Sequence, residues 1–466
     1  MELAGTDAIP LRVAIIGSGP AAFYAADHLL KQDGLTVEID MFERFPTPYG
    51  LVRTGVAPDH PKIKSVTKKF AEVASDRRFR FYGFVEFGKD IAVSDLREHY
   101  HQILYATGAQ TDKRMGIPGE DLKGVHSANE FIGWYNGHPD YRDCQFDLSQ
   151  ERAAIVGVGN VAVDVARILC LTPDELAGTD IASHALEALS QSRVREVYLL
   201  GRRGPAQASF TNPEIKELDN LADTDILALP EEAQLDDSSR AALDASDDRA
   251  TRRKVEMLQE YASRKPAGKK HQLTIRFLVS PVELLGNAAG HVVAMRLVKN
   301  TLYQNEAGTL KPRATDRVEE LSTGLVFRSC GYRGTPLPGV PFNERWGVIL
   351  NEKGRVIDPE SEGPVVGEYC SGWIKRGPTG VIGTNKLDSV ETVNCMLEDL
   401  AHGSILHPSA PEVSQAEHLV CGRQPNYFSF ADWLRLDAIE VNNGRAQNRP
   451  REKFTRVEDM LAALGR

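Results

Sequence analysis

Closely spaced cysteines are missing from this chain. Its six (Cys144, Cys170, Cys330, Cys370, Cys395 and Cys421) are scattered, with no two nearer than Cys370 and Cys395. Without a CxxC pair there is no dithiol redox motif, no zinc ribbon and no ligand spacing for an iron–sulfur cluster. Long apolar runs are missing too. The longest uncharged one, Val13 to Ala26, is interrupted by Gly17, Gly19 and Pro20 and is too short to span a bilayer. The N-terminal stretch MELAGTDAIP has neither a basic n-region nor an apolar h-region, so a secretory signal is not expected. Unpaired thiols without such a signal fit a reducing cytoplasm. Basic excess is also absent: the net charge of −10 argues against whole-surface binding to nucleic acid or anionic membrane, while leaving room for a local basic patch.

The remainder reads as a globular enzyme. At 466 residues the chain is too long for a typical single core, so two or three domains are expected. Its 42% apolar and 26% charged residues are ordinary, and no tract is of low complexity.

Two segments align without a gap: Arg12-VAIIGSGPAA and Arg152-AAIVGVGNVA. Each is a short apolar strand, then G-x-G-x-x-A, then a helix. The first glycine (Gly17, Gly157) permits the tight turn, and the second (Gly19, Gly159) lets a pyrophosphate approach the backbone. The small third residue (Ala22, Ala162) brings helix close to strand, and the helix N-terminus supplies donors and positive potential. One such motif is weak evidence; two in the same strand–helix context point to two dinucleotide sites.

The strand downstream of each copy tells the sites apart. After the first, Thr36-VEIDMFE reads as a strand ending in Glu43, an acid placed to accept hydrogen bonds from ribose hydroxyls. After the second, Val194-REVYLLGRRGP ends in Arg202 and Arg203. Two guanidiniums pair with a ribose 2′-phosphate, which an acid would repel. The first site therefore suits FAD or NAD and the second NADP, unless the arginines are only a solvated basic turn. FAD and NADP in one chain imply hydride transfer between nicotinamide and flavin.

The expected fold class is α/β, with two Rossmann-like dinucleotide-binding domains and the FAD domain discontinuous. Its first part covers residues 1–111, closing on the apolar strand at His101-QILYATGA. Residues 112–325 form the NADP domain, opened by a Gly- and Pro-rich crossing linker at 112–126. Within it, 231–254 reads as solvated helix and loop without a clean apolar face, while 272–285 and 292–298 read as hairpin strands. Residues 326–466 return to the FAD domain and end in a polar tail, with short helices around Trp433 and at 454–465, that carries no functional signal.

The motifs VAIIGSGPAAFYAA, PTPYGLVRTGVAPDHPKIK, VGNVAVDVARIL, GRRGPAQASFTNPE and WIKRGPTGVIGTNK, spread from residue 13 to about 390, resemble the adrenodoxin reductase-like family of ferredoxin–NADP reductases, in particular its actinobacterial FprA-type members. That resemblance implies a glutathione reductase-like fold without the dimerisation domain, hence a monomer. It implies a flavin-side loop at Pro48–Lys64, with Leu51 contacting flavin through its backbone and His60 near isoalloxazine and nicotinamide. On residue chemistry alone, His60 could instead cap a helix starting at Pro61. The resemblance also places Glu214 beside the nicotinamide and Asp164 facing the same site; Asp164 has the alternative of stabilising a helix dipole. Trp373 would pack on the cofactor, with Gly380, Val381 and Ile382 as backbone contacts. Pro20 completes the first glycine turn, and Val158, Asn160 and Val161 the second. Where the family commonly carries Arg in the linker, this chain has Lys113 and then Arg114, and Lys lacks the bidentate fork.

The implied reaction is hydride transfer from NADPH to flavin N5, then single electrons to a separate ferredoxin, or the reverse. His60, Glu214 and Asp164 would orient the nicotinamide and assist proton movement. An acidic ferredoxin would need a basic surface, for which Lys62, Lys64, Lys68, Lys69, Arg77, Arg78 and Arg80 are candidates. An FAD- and NADPH-dependent monooxygenase, or an electron-input subunit of a larger complex, would share the cofactors.

Overall fold

A nearly apolar run favours a strand buried on both faces, and β1 (Leu11–Ile16, LRVAII) has every residue buried, its one charge, Arg12, being paired with buried Asp40. The computed structural model describes residues 4–466. The chain divides into two compact units. One runs through Thr111 and resumes over Tyr332–Arg466; the other is Asp112–Gly331.

In the first unit, β1 leads through the glycine turn into α1 (Pro20–Leu30), then β2 (Val37–Glu43), β3 (Phe79–Gly83) and β4 (Gln102–Tyr105). Sheet order is Asn351–Glu352, Arg355–Ile357, Pro364–Cys370, β4, β1, β2, β3. The five strands from Pro364–Cys370 to β3 run parallel. The strand Pro364–Cys370 pairs with β4 in register Glu368↔Ile103, which brings the resumed chain beside the first motif. Apolar clusters cover both faces of the sheet.

In the second unit a parallel sheet runs in the order Val125–Ser127, Leu325–Arg328, Arg152–Val156, Glu196–Leu200, His271–Arg276, Thr224–Ala228. An antiparallel meander, Val279–Gly286, Val292–Gln304 and Leu310–Ser322, belongs to the same unit. The chain returns to the first unit at Tyr332 rather than at 326, because Leu325–Arg328 is a strand paired between Val125–Ser127 and Arg152–Val156.

Three local expectations are corrected. Residues 271–276 do not form a hairpin strand; they lie parallel between two other strands, and the hairpin begins only at Val279. The stretch 231–254 is not simply solvated. Glu232 is buried and accepts from Arg276, Lys299 and the Phe277 N–H, and Ala233 and Ser239 are buried as well, while most of the rest of the stretch is exposed or half-buried. The tail holds a full helix, Phe430–Arg445, whose Trp433 and Leu436 enter the first unit's core. The crossing linker is pinned by Glu120, which accepts from the Met115 and Gly116 N–H groups. Among the described residues no helix is long and apolar enough to cross a membrane.

One core histidine has a measurable consequence. His101 Nδ1 accepts from the Arg12 N–H at 3.0 Å, which requires neutral imidazole. Burial, then the Arg12 and His407 charges, lowers its pKa from 6.5 to about 4. The unfolded chain takes up this proton near its ordinary pKa and the folded chain only near 4, so stability falls as pH drops from 6.5 towards 4 and is flat below. His101→Asn keeps an acceptor but cannot titrate. It should recover about 1 kcal/mol of the stability lost between pH 7 and pH 5, after discounting for solvent screening. Urea midpoints of both proteins at the two pH values check this; parallel losses would contradict it.

Candidate functional site

Both glycine turns fold as the strand–turn–helix chemistry demands. Gly17 has φ +99°, and a Cβ there would sit 2.7 Å from the Ala106 carbonyl oxygen; at Gly157 (φ +145°) it would sit 2.4 Å from the Ser329 oxygen. Only glycine fits either position. Gly19 and Gly159 cap helices α1 and Asn160–Cys170 without any side-chain capping bond, so the first helical N–H groups face outward. A Cβ on Gly19 would meet nothing within 4 Å, and on Gly159 only Ser209 at 3.9 Å. Open space over two uncapped helix starts is the cradle a pyrophosphate needs. Pro20 opens α1 at its first position, where no N–H is required. Ala22 and Ala162 are fully buried, bringing helix against sheet.

Glu43 ends β2 beside the first turn. Its carboxylate accepts from the Ser18 N–H (3.2 Å), the Ser18 hydroxyl (2.7 Å) and the Phe45 N–H (3.2 Å). Burial raises its pKa, and the Ser18 bond and the Arg44 charge oppose the rise. The carboxylate is thus held at the strand end by groups of its own turn.

The loop from Pro48 lies directly on this motif. The Tyr49 N–H donates to the Ser18 carbonyl at 3.0 Å, and a Cβ on Gly50 would come within 3.1 Å of Gly19 Cα. Tyr49 has φ +84° and Gly50 φ +49°, a reversal that starts the short helix α2 (Leu51–Thr54). His60 is buried at the start of helix α3 (Pro61–Lys64), yet its side chain makes no capping bond, so capping does not account for it.

The resumed chain closes the same turn. Ser371 N–H donates to the Tyr105 carbonyl. The Ser389 hydroxyl donates to the Ala21 carbonyl at 2.9 Å. Trp373 starts a short helix, donates through Nε1 to Thr379 O at 3.2 Å and stands 5.5 Å from the Tyr332 ring. Gly380 has φ +80°, Val381 is exposed and Ile382 half-buried, leading into the helix Thr384–Ala401. Sequence reasoning missed Asp388, which accepts from the Gly372 N–H at 2.5 Å and pairs with Lys375 (3.3 Å) and Arg376 (3.2 Å). It carries no local motif, because its role exists only through this turn.

In the second unit Arg202 is exposed and Arg203 half-buried just past the strand Glu196–Leu200. Burial, then the neighbouring Arg202 charge, lowers the Arg203 pKa, so an anion here relieves repulsion between two guanidiniums. Their turn is held from below. Asn300 Nδ2 donates to Arg202 O at 2.9 Å, and the Leu278 N–H to Arg203 O at 3.1 Å. Val158 O accepts from the Ser209 and Phe210 N–H groups, and Asn160 Oδ1 from Thr211 N–H at 2.8 Å. Val158 and Asn160 thereby fasten the loop that leads to Glu214, which is half-buried in the first turn of the helix Asn212–Glu217; Val161 is half-buried in the first turn of the helix Asn160–Cys170.

Asp164 pairs with Arg167 at 2.7 Å, and Arg167 also reaches Glu217 at 2.6 Å. It lies beyond the first turn of its helix, so the dipole reading does not hold. Arg114 is engaged by Asp121 and Glu120, whereas exposed Lys113 and Lys123 make no ion pair among the described residues of the linker. The basic stretch at 62–80 is smaller than its composition suggests. Arg80 pairs with Glu38 and buried Asp40, Arg78 with Asp76, and Lys69 with Glu72.

The profile of the pyridine nucleotide-disulphide oxidoreductase family matches residues 11–216. A probable ferredoxin/ferredoxin–NADP reductase of Mycobacterium tuberculosis is 45% identical over 458 residues, covering 97% of this chain and 76% of that protein. The NADPH-ferredoxin reductase FprA of the same organism is 43% identical over 461 residues, covering 97% and 98%. The mitochondrial NADPH:adrenodoxin oxidoreductase of Bos taurus is 42% identical over 466 residues, covering 97% and 92%. The solved structure of Mycobacterium tuberculosis FprA in complex with NADPH superposes with a TM-score of 0.92 at 42% identity, covering 98% of this chain and 100% of that one.

Proposed function

This chain belongs to the family of NADPH–ferredoxin reductases and adrenodoxin oxidoreductases, and from that membership we propose that it is an FAD-dependent ferredoxin–NADP reductase. The observation that carries this reading is the contrast between two glycine turns in separately cored units, one ending on a carboxylate and the other on a guanidinium pair.

FAD, when bound, supplies the exchange between hydride chemistry with NADP(H) and single-electron chemistry with an iron–sulfur protein. Gly17, Gly19, Pro20 and Ala22 cradle its pyrophosphate, Glu43 takes its ribose hydroxyls, and Leu51, Trp373 and the backbone of Gly380–Ile382 line its ring. Arg202 and Arg203 bind the 2′-phosphate of NADP(H), with Lys113 as a looser third cation. Gly157, Gly159 and the helix behind them take the pyrophosphate. His60, Glu214 and Asp164 orient the nicotinamide and hold protons; none is a nucleophile.

The electron partner is a separate ferredoxin, since the chain's scattered cysteines offer no cluster spacing. Exposed Lys62, Lys68 and Arg77, which make no ion pair among the described residues, are the cations available to an acidic partner. A monomer in the cytoplasm fits this role.

The test is anaerobic stopped-flow of the flavin band after mixing with NADPH or NADH. Fast bleaching by NADPH and much slower bleaching by NADH support the assignment, and added ferredoxin should then reoxidise the flavin. Failure to bind flavin, or no bleaching by either nucleotide, refutes the reductase reading. Equal bleaching by both refutes only the NADP assignment.

A further inference from the structure

The C-terminal tail carries no motif, yet it holds a buried charge cluster whose other half lies on the loop at the first glycine turn. Arg53, on α2, sits with its side chain 7% exposed and makes two parallel bonds to Glu440, Nη1 to Oε2 at 2.9 Å and Nη2 to Oε1 at 2.5 Å. Glu440, on the helix Phe430–Arg445, is fully buried. A carboxylate taken wholly out of water needs its lone pairs occupied, and these are. Arg451 Nη1 donates to Oε2 at 3.0 Å and the Phe454 N–H to Oε1 at 2.9 Å.

The strand of chain after the helix makes this possible. It folds back along the helix so closely that a Cβ on Gly444 would meet Arg451 Cα at 2.3 Å, and the Glu452 N–H donates to the Glu440 carbonyl at 2.8 Å. Lys453, itself 6% exposed, reaches the Arg53 carbonyl at 3.4 Å. Aromatic contact adds to the charge contact. The Trp433 ring stands edge-on to Tyr49 at 5.8 Å and lies under the Arg53 guanidinium at 5.1 Å. Tyr49 is the residue whose N–H bonds to Ser18 in the glycine turn. A continuous path therefore runs from Glu440 through Arg53 and α2 to Tyr49, Gly50 and Gly19.

We propose that Glu440 is a positioning residue for the flavin site: the segment Phe430–Phe454 clamps the Tyr49–Gly55 turn against the Gly17–Gly19 cradle, so that FAD binding and docking of the segment favour one another. The inference rests on the reading that this unit holds FAD. Two events that share one ordered loop are linked reciprocally, so the factor by which docking tightens FAD is the factor by which FAD tightens docking.

The test uses the full chain stripped of flavin and titrated with FAD by quenching of flavin fluorescence, with limited trypsin digestion at Arg445–Lys453 as the second readout. Glu440→Gln should weaken FAD by about tenfold or more. Its tail should be cut faster, and saturating FAD should slow the cutting in both proteins. Affinity for 2′,5′-ADP, a ligand of the second unit, should stay unchanged and reports that the variant is folded. Arg53→Lys, which keeps the charge without the fork, gives an intermediate loss and serves if Glu440→Gln does not fold. In the refolded holoprotein the visible flavin band of either variant should shift. Unchanged FAD affinity and flavin spectrum alongside faster tail cleavage overturn the inference and leave the reductase reading standing. No FAD binding by the unaltered protein overturns both.

Discussion

Replacing Arg202 and Arg203 together by Gln is expected to weaken NADPH by about 100-fold while changing NADH by less than about twofold. Charge-assisted hydrogen bonds contribute about 1.5–3 kcal/mol each. Arg202 is exposed, which places its share at the low end. With both at that low end the total is about 3 kcal/mol, which corresponds to roughly that hundredfold. NADH lacks the 2′-phosphate and loses nothing of this. Titration with 2′,5′-ADP and 5′-AMP reads the difference without any redox step, and the 2′,5′-ADP affinity of the unaltered protein should fall with added salt. Equal weakening of both ligands would mean that the turn collapsed, and an unchanged 2′,5′-ADP affinity would place the phosphate elsewhere. Asn300 offers a control, because it holds the Arg202 carbonyl from beneath and carries no charge of its own.

The second large effect separates the units. Gly17→Ala should abolish FAD retention, a loss of more than about 100-fold in affinity, while 2′,5′-ADP still binds; Gly157→Ala should do the reverse. The cause lies in backbone and not in lost contacts. At Gly17 the added carbon stands 2.7 Å from the Ala106 oxygen, and at Gly157 2.4 Å from the Ser329 oxygen, with φ positive in each case. Relief requires moving the turn away from its neighbouring strand, which tilts the helix start that faces the pyrophosphate. Strain of this kind is on the order of 1–3 kcal/mol per residue before the clash is counted. The readouts are the ratio of flavin to protein absorbance after purification and the two nucleotide titrations. A Gly17→Ala protein that keeps a full complement of flavin would disprove the assignment.

Both glycine turns were legible in the sequence because everything that makes them is local. Strand, turn and helix are consecutive, and the demand for φ > 0 or for a missing Cβ is met by one residue at one position. The distinction between Glu43 and the Arg202–Arg203 pair was legible for the same reason, since each ends the strand after its turn. Residues 271–276 were misread because LTIRF suits a hairpin strand and a buried parallel strand equally well. Only the register against Glu196–Leu200 and Thr224–Ala228 decides between them. Likewise 231–254 looked solvated because Glu232 is an acid, and burial of an acid depends on partners far along the chain at Arg276 and Lys299.

By itself, then, the sequence determined that this chain has two glycine turns followed by strands of opposite terminal charge, and cysteines that are widely spaced. Tertiary structure alone decided which charges remain available and which are consumed. Arg80, Arg78 and Arg114 lie in basic stretches but are matched to carboxylates. Arg53 and Glu440 stand 387 residues apart and meet in a buried pair. A charge written in sequence has a sign but no partner. Its pairing depends on distance and dielectric, which exist only once the chain has folded.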